Sequence, residues 1–110
     1  MTSDVEARKL ILDIVEKVKR EYRPARVILF GSYAYGTPDR DSDIDLLIIK
    51  DTKERPIDRR VAVRRIVSDP KRLVPFDPIV LTPAEVQTRL EIGDQVLRQI
   101  MEKGEVLYAA

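Results

Sequence analysis

Hydrophobic spacing in this chain switches repeatedly between a helical and a strand-like period, and that alternation restricts the fold more than any other feature. Ala7, Leu10, Ile11, Ile14, Val15 and Val18 recur at three- and four-residue intervals, which predicts an amphipathic helix over roughly residues 4 to 21. Ser3 and Glu6 have the spacing of a capping box at its start, and Pro24 ends it. The run Arg26-Val-Ile-Leu-Phe30 is short, apolar and rich in strand formers, and is read as a buried strand. A second strand is expected from Ile44 to Lys50. A third, Phe76 to Thr82, follows Pro75 and contains Pro78, which suits a sheet edge or a strand start. Helices are predicted from Pro56 to about Val67, from Pro83 to about Leu90, and from Asp94 to a C-terminal cap at Gly104. Val106 to Tyr108 can pair as a short last strand. The polar stretch from Gly31 to Asp43 reads as a turn, one short helix from Ser32 to Tyr35, and a loop. The expected class is α/β (α+β), a small mixed β-sheet packed with helices.

A chain of 110 residues suits a single domain, 1–110, with one hydrophobic core. No apolar run approaches the length needed to span a bilayer and no charged-then-apolar leader opens the chain, so a soluble cytoplasmic protein is expected. Cysteine and histidine are both absent, which excludes disulfides, thiolate metal sites and the commonest general base. Catalysis would have to run on carboxylates, hydroxyls, lysine, arginine and a metal held by oxygen. The balance of 20 basic against 19 acidic residues argues against non-specific nucleic-acid binding, and no DNA partner is expected. Charged residues make up 35% of the chain, asparagine is absent and Gln87, Gln95 and Gln99 are its only glutamines, the compositional lean of thermophile proteins.

Three local features bear on chemistry. Gly31-Ser32 follows a strand directly, where glycine allows close approach and backbone amides favour an anionic phosphate; an ordinary turn has the same appearance. Asp43 and Asp45 lie two apart at a strand start, so they share a face and repel unless a hard divalent cation such as Mg2+ binds between them. The alternative is that Asp43 caps a turn and Asp45 faces solvent. Asp77 stands among Phe76, Ile79, Val80 and Leu81, where an acidic residue usually needs a partner. It completes a three-carboxylate site if its strand neighbours that of Ile44, and otherwise belongs to an Asp-Pro turn. Three acids and one or two magnesium ions suit nucleotidyl transfer, because the ions neutralise a triphosphate and one carboxylate can help deprotonate the attacking hydroxyl.

Gly-Ser, then the ten residues Tyr33 to Ser42, then Asp-x-Asp, resembles the signature of the polymerase-beta-like nucleotidyltransferases. The Leu-Phe lead-in, the Ser-Asp-Ile-Asp-Leu continuation and the Gly-x-x-Leu-Tyr ending resemble their minimal branch, the antitoxin-type proteins often paired with HEPN-domain toxins. The resemblance implies that Gly31 and Ser32 hold nucleotide phosphates, that Asp43 and Asp45 are catalytic and bind metal, and that Asp77 is the third acid. Where family members often carry an arginine after Gly-Ser, this chain has Tyr33 and Tyr35. The implied function is transfer of AMP from ATP, with Mg2+, to a hydroxyl such as a tyrosine of a partner macromolecule, a HEPN-type toxin. A binding antitoxin that masks its partner without catalysis, and nucleotide addition to RNA, are the alternatives.

Arg55, Arg59, Arg60, Arg64, Arg65, Lys71 and Arg72 cluster after the second strand. With Ile57, Val61 and Ile66 as the buried stripe of that helix, the arginines form either a solvated face, a docking surface for an acidic or phosphorylated partner, or a guide for the triphosphate. Tyr33 and Tyr35 either stack on a base or pack beside the turn. Arg8, Lys9, Lys17, Lys19 and Arg20 read as ordinary surface. The stripe of the first helix and the last strand could pair two copies as a homodimer.

Overall fold

The structure, a computed structural model, describes residues 4–38, 42–71 and 74–110. The Ser3 cap and Arg72 of the basic cluster lie outside the described residues. In chain order the elements are α1 (Asp4–Tyr22), β1 (Arg26–Phe30), α2 (Ser32–Tyr35), β2 (Ile44–Ile49), α3 (Pro56–Ile66), β3 (Phe76–Leu81), α4 (Pro83–Glu91), α5 (Gln95–Lys103) and β4 (Glu105–Ala109).

The four strands form one sheet in the order β3-β2-β1-β4. β1 pairs antiparallel with both β2 and β4, whereas β2 and β3 run parallel, joined by α3 as a parallel pair requires. The expected mixed sheet is therefore present. Pro78 is tolerated because β3 is an edge strand, as its sequence suggested. α1 ends where Arg23 turns into the left-handed region at φ 55°, next to Pro24, which disfavours continued helix in the residue before it.

Side-chain alternation divides the core between two faces of the sheet. Ile44, Leu46 and Ile48 of β2 pack with Ile14 and Val18 of α1 and Val63 of α3. On the other face Leu47, Ile49 and Ile28 meet Val86 of α4 and Leu97 and Ile100 of α5. Coverage on both sides explains why β2 reads as an unbroken apolar run. Every residue of that strand is buried except Asp45.

α3 departs from expectation in its rotation. Ile57 and Val61 are 60% and 40% exposed, while Arg59 and Val63 form the inward face. Burying Arg59 is possible because its guanidinium is satisfied: Nε donates to the Glu54 carbonyl at 2.8 Å and Nη1 to Glu85 Oε1 at 2.6 Å. Glu85 also closes the capping box of α4, accepting from the Thr82 amide at 2.8 Å while its own amide donates to Thr82 Oγ1 at 3.1 Å. One ion pair thus ties the start of α3 to the start of α4. Gly104 caps α5 as predicted, but with extended backbone at φ −67°. Glycine is needed there for space, since a Cβ would come within 2.5 Å of the Ile100 carbonyl and 2.6 Å of Ile28 Cγ2. No helix of the described residues is long and apolar enough to cross a membrane.

Candidate active site

Strand register gathers the three features that the sequence presents separately. Phe30 of β1 is the partner of Asp45 in β2, and Asp45 is the partner of Asp77 in β3. The end of β1, Asp45 and Asp77 therefore lie in line across three strands, separated by about 4.8 Å per strand. The amide of Ile44 donates to the Pro75 carbonyl at 2.8 Å, which fixes this alignment at the mouth of the β2–β3 pair. Asp77 stands inside the ladder of β3, so the turn alternative does not hold.

Gly31 lies directly against Asp45. Its backbone, at φ 75° and ψ −161°, is one that only glycine adopts readily, and a Cβ built on it would fall 2.3 Å from Asp45 Oδ2. The short α2 then turns over on itself: the amides of Ala34 and Tyr35 donate to the Gly31 carbonyl at 3.0 and 3.1 Å, and Gly36 closes the turn in the left-handed conformation. Ser32 is the first residue of this turn. Tyr33 packs against the main core, while Tyr35 is 39% exposed.

Asp45 is half-buried, and its carboxyl is pushed up to about 6 by burial first, then by the charges of Asp77 and Asp43. Asp43 precedes β2 and is exposed. Crowding of carboxylates around a half-buried one, beside a glycine that leaves the approach clear, is the chemistry of a donor set for a hard, oxygen-seeking cation. Asp43 and Asp45 fit that role as they stand. Asp77 does not yet join them, and among the described residues no three acidic groups converge as a ligand set. Its Oδ1 accepts instead from Arg60 Nη2 at 2.6 Å and lies 3.8 Å from Arg64 Nη2.

These two arginines were visible in the sequence only as members of a basic run. The signal that singles them out is their spacing of four on one helix, which presents both to a single carboxylate at the neighbouring sheet edge. The remaining members have different fates: Arg59 is interior, and Arg55 pairs with Asp58 at 3.0 Å. Arg8, read as ordinary surface, forms a bidentate pair with Glu105 at 2.6 and 2.5 Å and links α1 to β4. Further along the face that carries Asp45 and Asp77, a cleft of about 200 Å³ opens among Leu47, Ile79, Val96, Leu97 and Arg89.

Known proteins resemble this chain in sequence and in fold. The family described as "Nucleotidyltransferase domain" matches residues 11–107. "Putative protein adenylyltransferase MJ0604" of Methanocaldococcus jannaschii is 31% identical over 104 residues, covering 91% of this chain and 96% of that protein. "Putative protein adenylyltransferase MJ1305" of the same organism is 36% identical over 85 residues, 72% of this chain. This chain spans only 58% of the length of that second relative. Among solved structures, a putative nucleotidyltransferase from Sulfolobus solfataricus superposes with a TM-score of 0.67 at 24% identity, covering 96% of this chain and 83% of that one. A structure described as "the toxin-antitoxin with AMP-PNP" superposes with a TM-score of 0.60 at 24% identity, covering 90% and 73%. At that identity the two structures establish the shared fold.

Proposed function

Because this chain belongs to the nucleotidyltransferase domain family, we propose that it is an adenylyltransferase that moves AMP from ATP to a hydroxyl of a partner protein, with magnesium as cofactor. The observation that carries this reading is the line Phe30–Asp45–Asp77 across three strands, with Gly31, just past β1, against the Asp45 carboxylate. A protein acceptor is favoured by the relative named for protein adenylylation, which matches over nearly its whole length. It is favoured too by a site that faces outward, with Asp43 exposed.

In the proposed reaction the acceptor hydroxyl oxygen bonds to the α-phosphorus as the bond to the bridging oxygen breaks, and pyrophosphate leaves. Asp43 and Asp45 hold the divalent cation, which when bound supplies neutralisation of the triphosphate charge. Asp77, at the outer strand, receives the proton lost by the acceptor. Gly31 keeps the approach to Asp45 clear, and Ser32 contributes its amide and hydroxyl to the phosphates. A toxin of the HEPN type is the proposed partner, in keeping with the resemblance of the signature and with a toxin–antitoxin structure among those sharing the fold.

The test uses ATP labelled at either the α- or the γ-phosphate, with magnesium and the purified partner. Label retained on the partner from α-labelled ATP only, and lost with Asp43→Ala, is the expected result. Retention from γ-labelled ATP would make the protein a kinase and reject the reading.

A further inference from the structure

Arg60 and Arg64 stand at the Asp77 edge of the sheet, and their role rests on the nucleotidyl-transfer reading above. Both side chains are about half-exposed, 48% and 51%, and both address the same oxygen of Asp77. Arg59, between them and the core, is 6% exposed and spends its donors on Glu54, Val80 and Glu85. One arginine of this helix is therefore a fixed structural group, and the two at the sheet edge are free to change partner.

Two demands meet at this edge. An Asp77 oxygen saturated by a guanidinium is a poor metal ligand and a poor proton acceptor, so the 2.6 Å contact has to loosen for Asp77 to take part in the reaction. The turn that would hold the phosphates, residues 31–38, meanwhile contains no lysine or arginine. A nucleoside triphosphate lying over Asp45 adds several negative charges to three carboxylates, and the transferred phosphate gathers charge on its oxygens as it reacts. A planar guanidinium is the side chain best matched to phosphate oxygens.

We propose that Arg60 is a nucleotide-binding residue that exchanges partners: it neutralises Asp77 when no nucleotide is bound and pairs with the transferred phosphate when one is. Arg64, 3.8 Å from the same Asp77 oxygen and beyond hydrogen-bond distance, is the positioning residue that keeps the carboxylate turned to this edge by its charge as Arg60 leaves, so that oxygen itself becomes open. The exchange makes Asp77 available only when a phosphate has arrived to receive Arg60.

The test measures Mn2+ binding alone by electron paramagnetic resonance, and binding of a non-hydrolysable ATP analogue with Mg2+ by calorimetry. Wild type, Arg60→Ala, Arg60→Lys and Arg64→Ala are compared, each checked for folding by thermal melt. The expected result for Arg60→Ala is analogue affinity reduced about tenfold or more, the usual weight of a charge-assisted hydrogen bond, with Mn2+ binding unchanged or tighter. Arg60→Lys is expected to recover part of the loss, and Arg64→Ala to leave Mn2+ binding unchanged and analogue affinity within about threefold. Analogue affinity unchanged in Arg60→Ala overturns the proposal, as does a parallel loss of analogue and Mn2+ binding, which would make Arg60 a scaffold for Asp77. A wild-type protein that binds neither Mn2+ nor analogue overturns the nucleotidyl-transfer reading itself, and this proposal with it.

Discussion

At the scale of single residues, Gly31 meets two requirements at once: a backbone conformation reserved for glycine, and an Asp45 oxygen where a Cβ would stand. Gly31→Ala is expected to cost about 1–3 kcal/mol of stability and, by displacing Asp45, to weaken Mn2+ binding. Gly36 provides the comparison, since it too has a positive φ but nothing lies within 4 Å of its added Cβ. Gly36→Ala is expected to lower the melting temperature and leave Mn2+ binding intact; equal effects on both measures from both glycines would remove the special role given to Gly31. Asp45 itself opposes folding when ionised, through burial and two neighbouring carboxylates. Without divalent cations, Asp45→Asn is therefore expected to melt above the wild type, the pattern of an active-site group kept for function at a cost in stability. A lower melting temperature would show that its charge is already compensated. The glycine-serine pair and the acidic pair were legible from sequence because each is local. The Arg60–Asp77 contact was not, because it depends on which face of α3 meets which sheet edge.

At the scale of elements, the strands were legible nearly to the residue, whereas the rotation of α3 was not. Apolar periodicity assigned Ile57 and Val61 to the core, yet the buried face holds Arg59. Hydrophobic counting fails there because Glu54 and Glu85, from a loop and from the next helix, satisfy the guanidinium. Arg59→Met is expected to destabilise the fold by about 2–3 kcal/mol, below the ~3–5 kcal/mol of a fully enclosed pair because Glu85 retains contact with water. The same pair has a pH signature. The Thr82 backbone amide and Arg59 hold the Glu85 carboxyl below the usual carboxylate range, against its burial. A lowered folded-state pKa means stability that is complete above the ordinary glutamate value and lost as pH falls through the depressed one. The gap in melting temperature between wild type and Glu85→Gln is expected to be full near neutrality and to close in acid. A gap that widened on acidification would contradict the assignment.

At the scale of the whole molecule, alternating helical and strand-like segments were enough to indicate a mixed sheet with helices, but not how the four strands are ordered or which face stays open. That ordering is what matters for function. β2 lies between the glycine turn of β1 and the acid of β3, so a signature spread over residues 31–77 becomes one line of groups at one end of the sheet. α4 and α5 cover the same face further along, leaving the carboxylates outward beside an apolar cleft. Under the proposed function a site of this form would be completed by its acceptor, which is why the partner protein belongs in any decisive assay.

The most direct test is the intact mass of the protein encoded by the adjacent gene after co-expression with this chain, with an Asp43→Ala, Asp45→Ala version as control. A partner heavier by one or more AMP units with the wild type and unshifted with the control is the expected result. A partner of unchanged mass that binds both versions equally tightly would overturn the proposed transfer and leave neutralisation by contact alone as the function of this chain.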